Sequence, residues 1–359
     1  MKERNSNIEL LRILSIFMII LSHYTVHNTV SNYLLPLGFN RLLLEITTLG
    51  NIGVIIFILI TGYFSINQEK SFKFKKLFFL WMQTFTYSFL IYIIFVLLKL
   101  EPFSIKLLIK SILPITFNGY WFISVYVIIY IFSPFINKFI NSLNKKEHLN
   151  FIIISLFIFS ILNMLTNQKY YCNELIQFII FYSIGAYIKK YNQKYISKYN
   201  KYIFICTSII LVLSAVIFDV IGTKIEIFST HSTYFFSRTS IMSIIFAVTL
   251  FNMFIHRKSF SSKFINIFSS LVLGVYLISD NEYVRKILWT DILKVSNYVN
   301  SHALILHMIG SLIFVFIVCI IIEFIRKNTI ERITEKITSS VENKILKSKV
   351  YCKYKNFKL

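Results

Sequence analysis

Arg12 and His23 are the residues of this chain whose types and positions could most readily do chemistry. They stand eleven positions apart in the apolar run NIELLRILSIFMIILSHYTVH, residues 7–27. On an α-helix, at about 100° per residue, they return to within about 20° of one face, about 16 Å apart along the axis. His27 lies one turn beyond His23, and Glu9 one turn before Arg12, at pairing distance. One face therefore holds Glu9, Arg12, His23 and His27, with Ser15 and Ser22 beside it. In a bilayer each ionisable side chain costs roughly 2.5–3.5 kcal/mol on insertion scales, so each needs a partner or a role. Two readings fit the spacing. Arg12 snorkels to the headgroups while His23 bonds a neighbouring helix, or His23 exchanges a proton at a buried site.

Other polar residues gather at the ends of later apolar runs: Asp219, Arg238, Asp280, Asn281, His302 and His307. Singly they read as solvated loop ends, and together as a wet cavity opening on one side. Lys73, Lys75 and Lys76 begin the third apolar run, either as a topology signal or as a clamp for phosphate. Cys172, Cys206, Cys319 and Cys352 are scattered without metal or redox spacing, and no metal is expected. GxSxG, P-loop and HExxH motifs are absent.

The elements that must position these groups follow from composition. The 359 residues are 56% hydrophobic and 15% charged, well below the roughly 25% charge of soluble domains. Runs of about 20 apolar residues recur along the whole length, as in a helical membrane protein. A membrane barrel would alternate instead. The chain reads as an all-α polytopic bundle of about ten spans, near residues 8–26, 46–66, 74–98, 120–140, 149–166, 175–188, 202–222, 239–255, 264–279 and 301–325. Residues 103–117 carry Lys106, Lys110 and Pro114 and read as an interfacial or re-entrant piece.

With this numbering of spans, 27 Lys and Arg fall in the termini and even loops and 10 in the odd loops. The positive-inside rule then places both termini in the cytoplasm of a plasma-membrane protein. It also absorbs most of the net charge of +22, so no nucleic-acid partner is needed. Cys172 falls on the outer side and Cys352 on the inner. The first span does not read as a signal peptide, because its leader contains Glu3, Glu9 and Arg12, Ser15 interrupts the apolar stretch and no small-residue cleavage site follows. Residues 1–325 form one membrane domain. Residues 326–359 form a basic tail whose Ile330, Ile333, Ile337, Val341 and Ile345 suit an amphipathic helix on an anionic leaflet.

Four stretches, in order, resemble the acyltransferase-3 family of integral membrane acyltransferases. Arg12 and His23 match its Arg and His separated by ten residues. GNIGVIIFILITGYF, residues 50–64, resembles its second-span signature. GYWFISVYVIIYIFSPFIN, residues 119–137, resembles its WF…Y…P…N stretch, and LGVYLISDNEYVRKILW, residues 273–289, its late GVYLIHDN…R…LW stretch. Two departures stand out. KFKK, residues 73–76, replaces an RxxR implicated in holding acyl-CoA, keeping charge but losing the bidentate forks. Ser279 stands where the late stretch commonly has His, with His307 and His302 the candidates to replace it.

The resemblance implies transfer of an acyl group, most often acetyl, from cytoplasmic acyl-CoA to a hydroxyl of an extracytoplasmic or lipid-linked glycan. It implies catalysis by His23 with Arg12, oriented by Glu9, and a CoA site at Lys73, Lys75 and Lys76 with Trp121 near the thioester. Asn281, Arg238 and His307 are the acceptor-side candidates. The expected partners are acyl-CoA (acetyl-CoA as donor), the saccharide acceptor and the lipid bilayer. The alternative class is a polysaccharide flippase, polymerase or other multi-span transporter, which explains composition and topology but not the ordered motifs.

Overall fold

A computed structural model describes residues 5–28, 35–67, 73–117, 119–166, 172–191 and 194–347. Among the described residues every regular element is a helix. In chain order they are α1 (Ser6–Val26), α2 (Phe39–Ile46), α3 (Gly50–Ser65), α4 (Phe74–Leu97), α5 (Ile105–Ile112), α6 (Trp121–Ser142), α7 (Lys145–Leu156), α8 (Asn163–Thr166), α9 (Glu174–Tyr191), α10 (Lys194–Gly222), α11 (Glu226–Thr230), α12 (Ile241–His256), α13 (Lys263–Ser269), α14 (Val272–Ser279), α15 (Glu282–Lys286) and α16 (Leu304–Lys347).

Among the described residues eight helical stretches are long and apolar enough to cross a membrane. A ninth is the stretch Lys263–Ser279 with Glu282–Asn297, bent by 72° at its break. The sixth expected span, residues 175–188, corresponds to α9, which carries Glu174, Lys189 and Lys190 and is enclosed by its neighbours from Gln177 to Tyr187. Large apolar side chains of α4, α6, α7, α10 and α16 point outward, Leu97, Phe135, Ile154, Val220 and Phe324 among them. Such an apolar exterior suits hydrocarbon, where backbone groups must be satisfied inside the helix.

Small residues set the core. α3 packs against α1 and α9. A Cβ on Gly53 would meet the Ser15 carbonyl oxygen at 2.5 Å, and one on Gly50 would strike the Ser22 side chain. Gly62 and Gly185 oppose each other's helices in the same way, against the Tyr182 and Leu59 carbonyls. Close helix approach through small residues is the usual route to tight packing in lipid.

α1 is anchored at its start. Asn5 caps it by accepting from the Asn7 amide at 3.0 Å. The Asn7 side chain donates to the Arg257 and Lys258 carbonyls at 3.1 and 3.0 Å. The expected interfacial piece contains α5, held because the Tyr92 hydroxyl bonds both the amide and the carbonyl of Ser104. α16 continues unbroken through residue 326 to Lys347. Arg326 is buried on it, so the bundle's interior reaches past the expected start of the tail. Residues 348–359 lie outside the described residues, and Cys352 with them.

Candidate active site

α1 runs along a cavity of about 880 Å³. At the end where α1 and α4 begin, Arg12, Lys73, Lys75 and Lys76 line it; at the far end His23, His27, Asp280 and Arg285 do. Between these ends the walls are mainly apolar, with Ile16, Ile19, Val54, Phe57 and Leu80 among them. The rise of α1 separates Arg12 from His23 by about 16 Å, so the cavity joins two charged ends through the thickness of the bundle.

Glu9 holds Arg12 in place. One guanidinium nitrogen donates to both Glu9 oxygens at 3.0 Å. Glu9 is buried, and it also accepts from the Ser269 hydroxyl on α13. The arginine is thus paired on one side while remaining in the cavity wall. Lys73, Lys75 and Lys76 are all exposed, and Lys76 places its ammonium 4.7 Å from the centre of the Tyr130 ring.

At the far end the break between α14 and α15 brings Asp280 to α1. Asn281 accepts from the Tyr283 and Val284 amides at 3.1 and 3.4 Å, capping α15. Its amide donates to the Tyr120 hydroxyl at 2.8 Å, which donates onward to the Leu277 carbonyl at 3.0 Å. These bonds satisfy the backbone groups released by the bend. A carboxylate of Asp280 lies 3.0 Å from His27 Nε2 and 3.7 Å from His23 Nε2. The two imidazole rings are 4.7 Å apart. Arg285 approaches the same carboxylate at 3.9 Å. His23 Nδ1 is buried without a hydrogen-bond partner among the described residues. The donor atoms of His23, His27 and Asp280 lie within 4.8 Å of one another, close enough to take one metal ion. The guanidinium of Arg285 opposes a second cation there.

The remaining candidates are placed as follows. Trp121 lines the large cavity, and the Arg238 guanidinium lies over its ring at 4.3 Å. Arg238 lines no cavity described here, standing behind Trp121 and 3.9 Å from Glu174. His307 shares a 2.8 Å hydrogen bond with the Tyr24 hydroxyl and stacks on Tyr298 at 3.7 Å. It is absent from the walls of the large cavity, and His302 is exposed. Ser279 is fully buried, and its hydroxyl lacks a partner among the described residues. Asp219 pairs with Arg41, which also donates to Glu45, in a buried cluster closed by Ser232. Of the two acids, Asp219 therefore belongs to a structural cluster and Asp280 to the cavity end. Asp280 was legible as a polar residue after an apolar run. Its pairing with His23 and His27, across more than 250 residues of sequence, was not.

An apolar exterior around a cavity that is charged at both ends defines a multi-pass membrane protein with an enclosed polar site. A family model described as an acyltransferase domain matches residues 5–324. The chain belongs to this acyltransferase-3 family and is a membrane acyltransferase. No curated protein and no solved structure matches the chain.

Proposed function

We propose that the protein moves an acyl group, acetyl in the simplest case, from cytoplasmic acyl-CoA to a hydroxyl of an extracytoplasmic or lipid-linked glycan. The observation that carries this reading is the single cavity with Arg12 and three lysines at one end and His23, His27 and Asp280 at the other. The cationic end suits the phosphates of CoA. The apolar middle suits its long pantetheine arm, which brings the thioester to the imidazoles.

In this reading Asp280, beside Nε2, orients the His23 imidazole, which is the base. His23 takes the proton from the acceptor hydroxyl as its oxygen forms a bond to the acyl carbon. The carbon–sulfur bond breaks, and the proton passes from the imidazolium to the thiolate, giving the ester and free CoA. Asp280 offsets the transient imidazolium charge, as a carboxylate does beside a catalytic histidine. The 3.7 Å separation is longer than a hydrogen bond, and such contacts often tighten only when substrate binds.

Membranes with and without the protein, incubated with radiolabelled acetyl-CoA, test the reading. Protein-dependent label in a glycan or lipid-linked saccharide is the expected result. Absence of label under conditions where the protein is intact and binds acetyl-CoA would overturn it.

A further inference from the structure

A second, smaller cavity of about 210 Å³ adjoins the imidazole end of the first. Trp121, Asp280 and Arg285 line both, so they form the wall where the two meet. The lysines and Arg12 at the opposite end line only the large one. α5 and the loop before α6 form the outer rim of the small cavity, through Lys110, Ser111, Phe117 and Gly119. α4 and α15 contribute Ser88, Glu282 and Tyr283. The sequence singled out this α5 segment as a piece apart from the spans, and the acyl-transfer reading left it unused.

The two cavities differ in chemistry. The walls of the large one are mainly apolar, whereas those of the small one are mainly polar. The small one combines aromatic rings with hydroxyls and charged groups of both signs. Rings offer flat apolar faces, and hydroxyls, ammonium, guanidinium and carboxylate offer donors and acceptors at several angles. That is the recognition set for a ring bearing several hydroxyls, with a flat C–H face on one side and polar edges around it. A volume of about 210 Å³ leaves room for one sugar ring.

We infer that the small cavity is the acceptor subsite and holds one sugar ring, with a hydroxyl directed past Asp280 toward His23. This rests on the acyl-transfer reading and adds to it where the acceptor enters and how much of it is held. A ring seated there leaves the rest of its chain, whether a polymer or a lipid-linked carrier, to extend past α5. The acyl donor and the acceptor then approach the imidazoles from opposite ends of the bundle.

Filling the small cavity without touching the large one tests this. Ser88→Leu and Gly119→Leu are suitable, because both positions line the small cavity and neither lines the large one. A Cβ on Gly119 would meet nothing closer than 3.4 Å, so the backbone accepts it. Acetyl-CoA binding is read by calorimetry on purified protein, and transfer by radiolabelled acetyl-CoA on membranes. The expected result is acetyl-CoA affinity within twofold of the parent and transfer reduced at least tenfold in each variant. Extraction of the labelled product into organic solvent distinguishes a lipid-linked sugar from a polymer; both support the subsite. Normal transfer in both variants, with an active parent, would overturn the subsite and leave acyl transfer standing. Loss of acetyl-CoA binding together with transfer would assign the small cavity to the donor path and equally overturn it. A parent that binds acetyl-CoA yet labels nothing would instead fail the acyl-transfer reading itself.

Discussion

At the scale of single residues, the proposed chemistry rests on His23. Removing a positioned general base costs typically 10²–10⁴-fold, so His23→Ala should reduce transfer at least 100-fold while expression and membrane insertion persist. Asp280→Asn should also lower turnover, since it leaves the geometry but removes the charge that offsets an imidazolium. A well-folded His23→Ala protein with near-normal transfer would refute the assignment. Arg12→Ala should weaken acetyl-CoA binding, and Arg12→Lys should restore only part of it, because an ammonium lacks the planar fork of the guanidinium. At the cationic mouth, changing Lys73, Lys75 and Lys76 together to Gln should raise the acyl-CoA KM with little change in kcat. Three like charges share the work, so single changes should be milder. An unchanged KM in the triple variant would leave these lysines a topological role alone.

At the scale of elements, the cavity depends on how α4, α14 and α16 are clamped. Glu323 on α16 is buried and accepts from Gln83 at 3.0 Å and Tyr87 at 2.5 Å, both on α4. Arg326 donates to it with both arms at 2.7 and 2.8 Å and reaches Glu331 at 2.7 Å. Gly274 on α14 leaves room for the Glu323 side chain. Gln83 lines the large cavity, so this network fixes one of its walls. Glu323→Ala should destabilise the protein by about 3–5 kcal/mol, as removal of one partner from a buried pair does. Thermal unfolding in detergent would read this as a lower midpoint. Arg326→Met together with Glu323→Leu should recover much of the loss, since an apolar replacement leaves neither charge unpaired.

For the whole molecule, the charge bias of 27 to 10 across the two sides is an argument about orientation that labelling can check. The native cysteines are poor reporters: Cys172 is buried, and burial raises its thiol pKa. In a background with Cys206 and Cys352 changed to Ser, Lys224→Cys should react with an impermeant maleimide in intact cells. Lys146→Cys should react only after permeabilisation. Both positions are exposed, Lys224 between α10 and α11 and Lys146 in the first turn of α7. The reverse labelling pattern would invert the topology and with it the side from which the proposed acyl-CoA donor would enter.

The sequence by itself determined what local physics can determine. Continuous apolar runs fixed an all-helical, membrane-crossing chain, because only such helices satisfy their backbone in lipid. Helical period put Glu9, Arg12, His23 and His27 along one side of α1, and the ordered motifs pointed to the acyltransferase-3 family. Tertiary structure alone decided which distant polar groups meet that helix. Asp280 and Asp219 looked alike as acids near the ends of apolar runs. One reaches His23 and His27 because a 72° bend capped by Asn281 turns it inward, while the other is spent on Arg41. Arg238 and His307, read as acceptor-side candidates, lie against Trp121 and Tyr24. Spacing along the chain specifies a helix face to within tens of degrees. Which other helix covers that face is set by packing between segments hundreds of residues apart, through small residues such as Gly50, Gly53, Gly62 and Gly185, and no local pattern encodes that pairing.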